Sequence, residues 1–63
     1  MKNRLKELRM ERNMSQEELS KLSGISRTTL SKIENNEEVD LNTRTIAKLA
    51  EVFNVKPSEI FLF

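Results

Sequence analysis

Apolar residues recur along this chain at three- and four-residue intervals, the period of helices that bury one face. Leu5 and Leu8 form a first short stripe, and Leu19, Leu22 and Ile25 a second. Leu30 and Ile33 form a third, and Ile46, Leu49, Ala50 and Phe53 follow an i, i+3, i+4, i+7 pattern. No run alternates with the period of two that a half-buried strand needs. The spacing predicts an all-α chain with helices over about 2–12, 16–23, 27–35 and 43–53. A short last helix should open at Pro57, whose fixed φ suits a first helical position, and include residues 59–62.

The helix ends are marked as clearly as the faces. Ser15 and Glu18 stand at capping-box spacing, Ser26 can cap the third helix, and Asn42 the fourth. Met14 is placed to staple the entry of the second helix. Gly24, the chain's single glycine, falls between the second and third helices. A turn that needs left-handed backbone or close helix packing would use a glycine there. Two short amphipathic helices hinged in this way, over about 16–35, are what a helix-turn-helix requires. Its first helix braces a second that can enter the major groove of DNA.

The stretch RLKELRMERNMSQEELSKLSGISRTTLSKIEN, followed by IAKLAEVFNVKPSEIF, resembles the Cro/lambda-repressor-type helix-turn-helix proteins, the family often called XRE-like. Q-E-E-L, G-I-S-R-T-T-L and S-K-I-E-N stand at the family's spacing, and the likeness covers nearly the whole chain. It implies a five-helix lambda-repressor-like DNA-binding domain. The implied activity is sequence-specific regulation of transcription, most simply repression at a palindromic operator bound by a dimer.

Composition narrows the alternatives. A chain of 63 residues allows one small domain, here taken as 1–63, with a modest core. Without cysteine it has no disulfide or thiolate zinc site, and without histidine or cysteine few routes to catalysis. One glycine precludes a phosphate-binding loop, so neither an enzyme nor a cofactor is expected. The start, MKNRLKEL, lacks the apolar run of a signal peptide, and no segment is long enough to span a bilayer. A soluble cytoplasmic protein is therefore expected. Net charge is only +1, but residues 1–32 carry eight Lys/Arg against four Asp/Glu, and residues 33–63 three against six. A basic front and an acidic back would orient the molecule on a polyanion.

If the third helix lies in the groove, Leu30 and Ile33 must face the core, leaving Arg27, Thr28, Ser31 and Lys32 toward base edges. The planar fork of Arg27 matches guanine O6 and N7, Lys32 can reach guanine or phosphate, and Thr28 offers a methyl to thymine. The matching family positions are the usual base readers. Gln16 opens the second helix, where free amides favour an anion, and the family's glutamine there grips a phosphate and can buttress the recognition helix. Ser26, Asn35, Asn36 and Arg44 are further phosphate candidates, with capping the safer role for Ser26. The resemblance also pairs Arg9 with Glu34 in a partly buried salt bridge.

Two departures from the family stand out. Asn35 is followed by Asn36, Glu37, Glu38 and Asp40 rather than by glycine and a base, and carboxylates weaken phosphate contacts. Ser20 replaces a frequent alanine. The tail, Ile60, Phe61, Leu62 and Phe63, is unusually apolar for a solvated end. Either Phe61 or Phe63 folds back onto the core, or the tail buries against a second copy; a homodimer using these residues is the favoured expectation. The second functional reading is an antitoxin or adaptor whose acidic half holds a partner protein.

Overall fold

A computed structural model describes residues 2–61. Within them the chain forms α1 (Leu5–Glu11), α2 (Gln16–Ser23), α3 (Arg27–Glu34), α4 (Thr43–Phe53) and a single helical turn at Pro57–Ile60. α2 packs on α3 and α4, α1 lies against α3, and the terminal turn sits on α4. Each predicted cap forms. Ser15 Oγ accepts the Glu18 N–H at 3.0 Å while the Glu18 carboxylate accepts the Ser15 N–H, also at 3.0 Å. Ser26 and Asn42 accept the N–H groups of Thr29 and Thr45.

The core joins Leu5 and Leu8 to Leu19, Leu30 and Ile33, and these to Leu49, Ala50 and Phe53. Met14, Ile25, Val39, Leu41 and Ile46 pack around its edge. The loop between α3 and α4 therefore contributes two apolar side chains, Val39 and Leu41. Leu22 departs the other way, with 64% of its surface exposed. α2 instead buries Leu19 and Ser23, an i, i+4 pair, and half-buries Ser20. Leu22 stands beside that stripe, over an open hollow shared with Lys48 and Val52.

The first helix begins at Leu5, three residues later than its predicted start. The Asn3 side chain accepts the Leu5 N–H at 3.0 Å and donates to the Ile33 carbonyl at 2.7 Å. The Arg4 N–H goes to the Ile60 carbonyl at 2.7 Å, and Asn3 forms an isolated antiparallel bridge with Phe61. These backbone groups are committed across the molecule, which clips the first described residues to the last. Ile60 and Phe61 are consequently 0% and 1% exposed. That corrects the expectation of an intersubunit role for these two: their side chains are already spent on the chain's own core. Leu62 and Phe63 lie outside the described residues. Among those described, no helix is long and apolar enough to cross a membrane.

Gly24 closes α2 with φ +74°. A Cβ there would meet only Lys48 Nζ, at 3.8 Å, an ordinary contact. The requirement for glycine is thus conformational and not steric. Gly24→Ala is expected to cost about 1–2 kcal/mol, read as a lower denaturant midpoint at unchanged slope. An unaltered midpoint would show that the turn relaxes without penalty.

Candidate nucleic-acid interface

The turn between α2 and α3 is held by serine side chains. Ser20 Oγ donates to the Ile25 carbonyl at 2.6 Å, and Ser23 Oγ donates to the Leu19 carbonyl at 2.7 Å while accepting the Ile25 N–H at 3.2 Å. The sequence marks Ser20 only as the replacement of a frequent alanine and assigns nothing to Ser23. Two serines in the second half of a short helix were the available signal, because such side chains compete for backbone groups. Here they stabilise the turn through which α3 packs against α2.

α3 buries Leu30 and Ile33 and turns its other side outward. Arg27, Thr28 and Lys32 are exposed and Ser31 is half-buried. With Gln16 and Glu37 these four line one shallow, open depression. The structure thus brings together all four residues assigned to base edges and one of those assigned to phosphate. Among the described residues the ion pairs are Arg4–Glu7, Arg9–Glu34 and Lys21–Glu17, so Arg27, Lys32 and Glu37 leave their charges open on this face.

The remaining candidates lie outside that depression. Ser26 is engaged as the cap of α3, its Oγ also donating to Thr29 Oγ1 at 3.0 Å. Asn35 ends α3, with its N–H on the Ser31 carbonyl. Asn36 takes a left-handed φ of 59° and accepts a hydrogen bond from Asn3 Nδ2 at 3.3 Å. Arg44 is exposed in the first turn of α4.

Behind the depression, Glu34 gathers three segments. Arg9 reaches it with a double contact, Nε to Oε2 at 2.8 Å and Nη2 to Oε1 at 3.1 Å. Arg9 Nη1 also donates to the Met14 carbonyl at 2.8 Å, and Gln16 Nε2 donates to Glu34 Oε1 at 3.0 Å. The Glu34 side chain is only 3% exposed. Its hydrogen bonds hold the Arg9 guanidinium above its ordinary pKa, against the opposing effect of burial. Gln16 is therefore oriented from behind, by the end of α3, while lining the depression in front. No group of three or more His, Cys, Asp or Glu able to hold a metal occurs among the described residues.

The sequence model of the family described as Helix-turn-helix matches residues 5–60. The chain is 40% identical over 63 residues to an uncharacterised HTH-type transcriptional regulator of Archaeoglobus fulgidus, covering all of this chain and 87% of that one. It is also 40% identical over 63 residues to a protein of the same description from Methanocaldococcus jannaschii, covering 100% and 94% respectively. A further Archaeoglobus fulgidus regulator is 35% identical over 63 residues, with 89% of its length covered.

Proposed function

The chain belongs to the XRE-type helix-turn-helix family, and on that premise we propose that it is a transcriptional regulator that binds double-stranded DNA sequence-specifically. The observation that carries this reading is the shared depression of Gln16, Arg27, Thr28, Ser31 and Lys32, built on a helix whose opposite face is buried. A helix held in this way offers its first turns to the major groove while the preceding helix crosses the backbone. Arg27 and Thr28 read base edges, Ser31 and Lys32 extend the contact, and Gln16 grips a phosphate. Ser26, Asn35, Asn36 and Arg44 flank this face as backbone contacts. The protein binds; it does not catalyse.

In finer detail, we read residues 1–63 as one domain, with the Pro57–Ile60 turn as the fifth helix of a lambda-repressor-like fold. The protein acts as a repressor and binds as a homodimer. Two copies would match half-sites about 34–36 Å apart on one face of the duplex. Ile60 and Phe61 take no part in their contact.

Selection of bound duplexes from a random pool, at near-physiological salt, tests both levels. An enriched inverted repeat is expected, and its spacing gives the assembly. No enrichment from folded protein would sink the DNA-binding reading, and a single unrepeated site would sink the dimer. On the selected duplex, Arg27→Ala should weaken binding by about 1–3 kcal/mol and relax one base preference. Unchanged affinity and preference would show that Arg27 does not read the sequence.

A further inference from the structure

We propose that Glu37 is a specificity-determining residue that accepts a hydrogen bond from the N4 amino group of a cytosine. The inference rests on the DNA-binding reading and concerns a side chain that would otherwise oppose it. The acidic loop is divided. Glu38 and Asp40 line a separate hollow around Val39, whereas Glu37 alone of the three lines the depression with Arg27 and Lys32.

Its placement is set by backbone geometry. Asn36 turns the chain back through a left-handed conformation, and the Glu37 N–H closes on the Lys32 carbonyl at 2.9 Å. The carboxylate is exposed and makes no ion pair among the described residues, so it is available to a ligand.

A carboxylate can only accept, and a phosphate offers it nothing but repulsion. In the major groove guanine presents acceptors, thymine an acceptor and a methyl, and adenine an amino group beside the N7 acceptor. Cytosine alone presents a donor with no acceptor of its own alongside. A lone carboxylate among base-reading side chains therefore discriminates twice. It rewards a cytosine within reach and penalises duplexes that bring only phosphate.

The test compares wild type and Glu37→Ala on the selected duplex, on variants substituted at each position, and on an unrelated duplex. Expected is a loss of about tenfold in the preference for cytosine at one position, with tighter binding to the unrelated duplex. A common rise in affinity for every duplex, with all base preferences intact, would overturn the assignment and leave Glu37 as a simple repulsive charge. In that case the DNA-binding reading survives. Failure of the wild type itself to select any sequence would remove both.

Discussion

Replacing Arg9 by alanine is expected to destabilise the fold by about 3–5 kcal/mol, the usual result of removing one partner from a buried pair. The substitution deletes both bonds to Glu34 and the bond to the Met14 carbonyl. What remains is a carboxylate only 3% exposed, with the Gln16 amide still donating to it. The loss measures that stranded charge far more than the pair's net worth, because desolvation offsets much of the attraction in the intact pair. At roughly 0.05–0.15 kcal/mol of stability per residue, a chain of 63 residues has little to spare, so the variant should lose a large share of its total stability. Urea denaturation followed by circular dichroism reads the effect directly. The double variant Arg9→Met with Glu34→Leu separates the causes, since an apolar pair needs no partner and should recover most of the loss. A single variant with the wild-type midpoint would show that Glu34 finds water instead. Because hydrogen bonding to Glu34 raises the guanidinium pKa, this contribution is fully present at neutral pH and is lost, on the alkaline side, as pH rises beyond the ordinary arginine range.

Features decided within a few residues were the ones legible in the sequence. The Ser15–Glu18 box, the Ser26 and Asn42 caps and the left-handed Gly24 each depend on groups no more than three positions apart, and each forms. The bounds of α2 and α4 follow from them. Burial is less local. Leu22 carries the right apolar character, yet α2 turns Ser23 inward because small side chains let it approach its neighbours. The start of α1 is likewise set from a distance, by Ile60 and Phe61 at the far end of the chain. Arg12 shows the same limit: it donates to the Phe53 carbonyl at 2.9 Å and lies 5.6 Å over that ring, across 41 positions of sequence. The outward residues of α3 were legible because Leu30 and Ile33 left them no other direction. The company they keep was not, since Glu37 joins them only through the left-handed turn at Asn36.

Phe61→Ala should lower stability by about 3–5 kcal/mol, as deletion of a buried phenylalanine does when its surroundings cannot collapse. The ring is 1% exposed, and the residue's N–H donates to the Pro57 carbonyl at 2.9 Å while its backbone bridges to Asn3. Asn3 in turn donates to the Ile33 carbonyl near the end of α3. Removing the ring therefore leaves a cavity under the terminal turn and loosens the clip that brings the first residues against the recognition helix. Thermal melts at two protein concentrations distinguish this from an intersubunit role. A core residue lowers the midpoint by the same amount at both concentrations, because the lost contacts are within one chain. An interface residue would leave a folded monomer, with the midpoint falling most in the dilute sample. Sedimentation of the folded variant completes the comparison: an unchanged oligomeric state is expected, and dissociation without loss of fold would return Phe61 to the interface. DNA affinity should then fall in proportion to the unfolded fraction or somewhat beyond it if α3 shifts, since Phe61 is buried and takes no part in the depression that Arg27 and Lys32 line.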